Sequence, residues 1–135
     1  MRKLLSTNYS AGAFNAAMLF LRLVSGALIM HHGYQKLVNF GQLQHNFMDF
    51  LGMGSTVSLV LVVFAEFFCG LFIILGLFTR LATVPLIITM CVIIFKITNI
   101  DVFGDGESAS LYLAAFLTIL LLGPGKVSVD GMSGK

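Results

Sequence analysis

The residues best equipped for chemistry in this chain are charges set within or beside apolar runs. Glu66 stands in the middle of LVLVVFAEFFCGLFIILGL, and Arg22 lies near the centre of an apolar run that begins at about residue 13. His32, Lys36, Lys96 and Glu107 sit close to the ends of such runs. Charges inside a membrane almost always face a bundle interior or a wet cavity and pair with one another. Arginine suits a carboxylate partner, because its planar fork can grip both oxygens. Arg22 and Glu66 each lie near the midpoint of their run, so the sequence predicts that the two meet at one depth. If the first helix continues past Met30, Ser25, His32 and Lys36 share the face of Arg22, counting about 100° per residue. Cys69, Gly70, Ile73 and Arg80 fall similarly near Glu66, and Gly26 and Gly70 would let two helices approach closely. The expected result is a polar cavity built from Arg22, His32, Lys36, Glu66, Lys96 and Glu107.

Each group also has a plainer reading. Arg22 with Glu66 can be a structural latch, and His31 and His32 can be interfacial residues in contact with solvent. Lys36 and Lys96 can snorkel along apolar stems to the surface, and Arg80 can serve topology alone. Phe64, Phe67, Phe68 and Phe72 suit lipid contact or core packing. With no histidine pair at i, i+4 and no clustered acid, no metal site is expected. Cys69 and Cys91 lack CxxC spacing and read as small buried hydrophobes, with a helix-to-helix disulfide or redox pair as the alternative.

The elements that must carry these groups follow from composition. Of 135 residues, 58% are hydrophobic and 10% charged, and the mean hydropathy is +0.97; soluble domains carry about 25% charged residues. The chain therefore reads as a membrane protein. A formal net charge of +2 with dispersed basic residues sets nucleic acid aside as a partner. The basic start and first apolar run resemble a secretory signal, but Arg22 interrupts the run and no small-residue cleavage site follows. The run is read as a retained first helix.

The expected fold is all-α: one domain over residues 1–135, a four-transmembrane-helix bundle with spans at about 13–30, 57–77, 81–97 and 108–122. An amphipathic interfacial segment joins the first two spans, mixing Phe40, Phe47, Phe50 and Leu51 with Gln42, Gln44, His45, Asn46 and Asp49. The second and third spans form a tight hairpin, with Pro85 expected in the first turn of the third, where its missing N–H does little harm. The fourth span is short, about 22 Å at 1.5 Å per residue, and GPGK ends it before a polar tail. With the N-terminus inside, Arg2, Lys3, Arg80, Lys126 and Lys135 are cytoplasmic and Lys36 and Lys96 lie outside, which satisfies the positive-inside rule. Both termini are then cytoplasmic. The second span inserts readily despite Glu66, whereas the first, carrying Asn15 and Arg22, is marginal and needs a neighbour.

Three stretches in order, LRLVSGALIMHHGYQKL, AEFFCGLFIILGLFTRLA and ESASLYLAAFLTILLLGPGKVSVD, give the chain a family likeness from about Leu21 to Asp130. It resembles the DoxX family of small bacterial membrane proteins. The resemblance implies four transmembrane helices in the bacterial inner membrane, with Arg22, Gly33, Lys36 and Glu66 at family positions. Thr79 and Arg80, Glu107, and the closing Gly123, Pro124, Gly125, Ser128 and Asp130 also fit the pattern. Lys96 departs from it, where histidine or a neutral polar residue is expected. Relatives carry oxidoreductase names, and some resemble subunits of quinone-reducing sulfur-oxidation systems or partners in oxidative-stress complexes.

The leading expectation is a membrane subunit of a redox or stress-related assembly, with a quinone or similar apolar molecule in the Arg22, His32, Lys36, Glu66 cavity. Cationic donors would hold a quinone oxygen, and Glu66 or His32 would pass a proton. The expected partners are membrane lipids and either other proteins of a membrane complex or further copies of the chain. Two alternatives stand beside this reading: a noncatalytic anchoring subunit whose charges are latches, and a small-molecule or lipid transporter.

Overall fold

The computed structural model describes residues 2–45, 47, 49, 52 and 54–134. Asn46, Phe50 and Leu51 of the expected interfacial segment, together with Lys135, lie outside the described residues. Four longer helices dominate: α1 (Ala11–Val38), α2 (Ser55–Leu75), α3 (Thr79–Ile97) and α4 (Glu107–Leu122). Single-turn helices occupy Arg2–Leu5, Phe40–Leu43 and Val129–Met132. No strand occurs among the described residues. Among the described residues three helices, α1, α2 and α3, are long and apolar enough to cross a membrane. At 16 residues, α4 reaches about 24 Å.

The helices close into a ring, α1 against α2, α2 against α3, α3 against α4 and α4 back against α1. Met18, Ile29, Ile73, Leu86, Met90, Phe116 and Ile119 fill its centre. Phe20, Leu28, Phe95, Leu111 and Leu121 point outward and are exposed, as lipid-facing side chains are. The fold is thus inside out only at its rim; the interior packs as it would in a soluble bundle.

Two features depart from the sequence reading. Helix α1 does not stop near Met30 but runs to Val38, carrying His31, His32, Gly33 and Lys36 as helical residues. Ser10 starts it, its hydroxyl accepting from the Ala13 amide at 3.0 Å in the usual N-cap manner. Helix α3 begins at Thr79, so Pro85 lies in its interior rather than in the first turn. There it removes the amide that would have bonded the Leu81 carbonyl.

Helices α2 and α3 each contain a π-helical segment, Phe64–Cys69 and Ile93–Ile97. Such i→i+5 turns are rare and occur frequently at functional sites. One holds Glu66 and the other Lys96.

Small residues let α1 and α2 touch. A Cβ at Gly26 would sit 3.1 Å from the Gly70 carbonyl oxygen, and one at Gly33 only 2.5 Å from the Phe67 amide nitrogen. The predicted close approach at Gly26 and Gly70 is present. Gly33 extends it to the π segment, bringing the backbone beside Glu66 hard against α1.

Candidate functional site

The antiparallel register of α1 and α2 decides which charges meet. Gly26 lies opposite Gly70 and Ile74, and Gly33 opposite Glu66 and Phe67. Lys36, one turn beyond Gly33, therefore reaches Glu66, and its Nζ donates to Oε1 at 2.6 Å. The Glu66 side chain is 3% exposed and that of Lys36 26%. The pair thus has a buried acid and a base whose stem leads toward the surface.

Arg22 is not the partner of Glu66. It lies seven or eight residues away along the register, at the C-terminal end of α2, where Nη1 donates to the carbonyls of Ile73 and Ile74 at 3.4 and 3.3 Å. Its Nη2 donates to the Val127 carbonyl, while Nε is buried without an acceptor. The guanidinium closes the C-terminal end of α2, where orphan carbonyls gather partial negative charge.

The counterpart comes from the tail. Asp130, in the one-turn helix Val129–Met132, accepts from the Phe78 amide at 3.0 Å and from both the amide and hydroxyl of Thr79 at 2.9 Å. Its own amide donates to the Gly76 carbonyl at 2.9 Å. The carboxylate thereby caps the N-terminal end of α3 from another segment, within electrostatic reach of Arg22. Gly76 turns the chain between the two helices with φ 69°, where a Cβ would strike Arg22 and Ser128 at 2.3 Å. Arg22 and Asp130 are thus a cation on the C-terminus and an anion on the N-terminus of one hairpin, both buried.

The remaining candidates separate. His32 packs edge-on against Tyr112 of α4, ring centres 6.0 Å apart at 88°, and Tyr112 stacks on Phe116. Lys96 is exposed on the π segment of α3, and Glu107 is exposed in the first turn of α4, where an acid favours the helix dipole. The six-residue polar cavity of the sequence reading is therefore divided: Lys36 and Glu66 meet, Arg22 belongs to the α2–α3 turn, and His32 belongs to the α1–α4 seam. Sequence reasoning passed over Tyr112, which lies within electrostatic reach of Glu66. Its signal was faint, one phenol in an apolar stretch. Cys69 and Cys91 are both free thiols, and no group of three metal-ligating side chains occurs among the described residues.

Beside the Lys36–Glu66 pair, a cavity of about 520 Å³ opens between α2 and α3. Lys36 and Glu66 supply its charged groups, and the rest of its wall is chiefly apolar, with Leu61 and Phe64 on one side and Pro85, Ile88 and Ile93 on the other. Thr89 also lines it, but its hydroxyl is spent on the Pro85 carbonyl at 2.8 Å. Both π segments contribute to the wall, through Phe64, Ala65 and Glu66 and through Ile93 and Ile97. The volume falls within the roughly 300–1,000 Å³ of small-molecule sites, which are mostly apolar with a few placed polar groups. Such a site can receive a largely apolar molecule and offer its polar end one ammonium donor.

An apolar helical ring with charges latched inside it defines an integral membrane protein. The chain belongs to the DoxX family, a model of which matches residues 17–99. It is also similar to an uncharacterized membrane protein of Mycobacterium tuberculosis, with 28% identity across 84% of this chain and 79% of that protein. No solved structure matches the chain.

Proposed function

We propose that this DoxX-family protein is a membrane subunit of a redox or oxidative-stress-related assembly that holds a quinone or a similar flat apolar molecule between α2 and α3. The observation that carries the reading is the apolar cavity of about 520 Å³ with Lys36 and Glu66 on its wall. Lys36 donates to a ligand oxygen, Glu66 fixes the ammonium, and the apolar wall takes the ring. A bound quinone would supply reversible two-electron, two-proton chemistry. The same reading makes α4 a fourth span and places the protein in the bacterial inner membrane with both termini cytoplasmic.

The test is native mass spectrometry of purified protein with decylubiquinone as the probe. Wild type should retain one equivalent. Ile88→Trp, which fills the cavity from an exposed position, should lose it while remaining folded, and Lys36→Met should lose it as well, its fold checked by circular dichroism. Equal retention by all three would end the reading.

A second reading has its own observation: Arg22, Asp130, Lys36 and Glu66 all have partners within the chain. Such charges serve equally as latches of a noncatalytic anchoring subunit. Under that reading no quinone is retained, and protein partners copurify from the native membrane with wild type and Ile88→Trp alike.

A further inference from the structure

A second cavity, about 770 Å³, lies at the other end of the bundle, where the α2–α3 turn meets the first turns of α1 and the segment after α4. Its polar wall is formed by Arg80 and Lys126, with Asn15, Thr79 and Asp130. The acid is already engaged, because its two oxygens accept from Phe78 and Thr79, and Arg22 offsets its charge. Asn15 Oδ1 is likewise engaged by the Lys126 amide at 3.0 Å. That contact pins the loop carrying Lys126 to α1.

The two cations, by contrast, are exposed, and their side chains donate to no group among the described residues. Arg80 nonetheless lies close against Gly123. A Cβ at Gly123 would lie 3.1 Å from its Nη2, and Gly123 itself adopts φ 85°, so the guanidinium lies across bare backbone just past the end of α4. A guanidinium offers five N–H donors in a fixed fork suited to phosphate oxygens. Lys126 adds a mobile ammonium from the other side of the cavity.

Position completes the match. Arg80 is the second residue of α3, and Lys126 follows α4 by four residues, so both stand at helix ends, where a spanning bundle meets lipid headgroups. Phe78, Leu81 and Leu122 line the same cavity and are exposed, giving it an apolar rim beside its charged floor. Basic pockets between helices at a membrane surface bind anionic headgroups.

We propose that this cavity binds the phosphate of one anionic phospholipid, held by Arg80 and Lys126 with its acyl chains against Phe78, Leu81 and Leu122. The ligand is a membrane lipid rather than a free anion, because the apolar rim rewards a molecule that carries both parts. The site is independent of the α2–α3 cavity and of any quinone.

The experiment is native mass spectrometry of the full chain from micelles holding equal amounts of dioleoylphosphatidylglycerol and dioleoylphosphatidylcholine, with and without excess inorganic phosphate. Wild type should retain one phosphatidylglycerol in at least tenfold preference, and phosphate should not displace it. The double variant Arg80→Gln/Lys126→Gln should lose that preference, while Arg80→Lys/Lys126→Arg, which keeps both charges, should retain most of it. Because Lys126 lies in an exposed loop, Lys126→Gln alone gives a folded check and should weaken the preference severalfold. Equal retention of the two lipids by wild type, unchanged preference in the glutamine variants, or full displacement by phosphate would each overturn the proposal.

Discussion

Removing the lysine and removing the glutamate from the Lys36–Glu66 pair should have unequal costs. Glu66 is 3% exposed and held in a π segment against the α1 backbone, whereas Lys36 is 26% exposed on a long stem. In Lys36→Met the carboxylate stays in the seam without a partner, and stranding one member of a buried pair costs about 3–5 kcal/mol. In Glu66→Gln the ammonium is stranded instead, but its stem can carry it toward the surface. The loss then approaches that of one charged hydrogen bond, about 1.5–3 kcal/mol. The double variant Lys36→Met/Glu66→Gln strands no charge and should recover most of the difference, ending closer to wild type than Lys36→Met. Reversible unfolding in mixed micelles, followed by far-ultraviolet circular dichroism, gives the three values and the coupling between them. If Glu66→Gln were as damaging as Lys36→Met, or if the two effects simply added, the assignment of a buried acid with a mobile base would fail.

Four further outcomes follow from the geometry. Gly33→Ala places a methyl 2.5 Å from the Phe67 amide nitrogen and 2.9 Å from the Glu66 carbonyl carbon. Backbone must move to admit it, so stability in the same assay should fall by about 1–3 kcal/mol. Gly12→Ala, whose Cβ would meet nothing closer than 3.9 Å, should be neutral or stabilising. Asp130→Asn removes the charge and one acceptor from the cap on Phe78 and Thr79; a stability loss of about 1–2 kcal/mol is expected, together with faster proteolysis of the tail after Lys126. In detergent, N-ethylmaleimide should label the half-buried Cys91 before the buried Cys69, as exposure governs thiol access, and the order read by peptide mapping checks this.

Hydropathy made the helices legible because a lipid-facing helix needs only length and apolar composition. The expected spans at 57–77, 81–97 and 108–122 lie within two residues of α2, α3 and α4 at every boundary. The first was cut short at 30 because His31, His32, Gln35 and Lys36 look like a connection, although the helix carries them to Val38. The pairing of Arg22 with Glu66 fails for a separate reason. A midpoint argument assumes that two helices are level, whereas Gly26, near the middle of α1, lies opposite Gly70 and Ile74, close to the end of α2. The role of Asp130 was illegible for another reason: it lies 108 residues from Arg22 in a four-residue helix, and no periodicity links such positions. The π segments, Phe64–Cys69 and Ile93–Ile97, leave no composition signal in an apolar run.

The two ends of the α2–α3 hairpin are consequently built to different rules. At the turn, Arg22 holds the carbonyl end of α2 and Asp130 holds the amide end of α3, each with several hydrogen bonds. That end is fastened by charge on backbone, which ties the helices in one relation. At the other end, the Lys36–Glu66 pair and two π segments border an open cavity. Both π segments contribute side chains to the cavity wall there, Phe64, Ala65 and Glu66 from one and Ile93 and Ile97 from the other. The proposed quinone site thus rests on the end of the hairpin that backbone-capping charges leave open. The costly charges are thereby divided into two groups rather than gathered in one polar core.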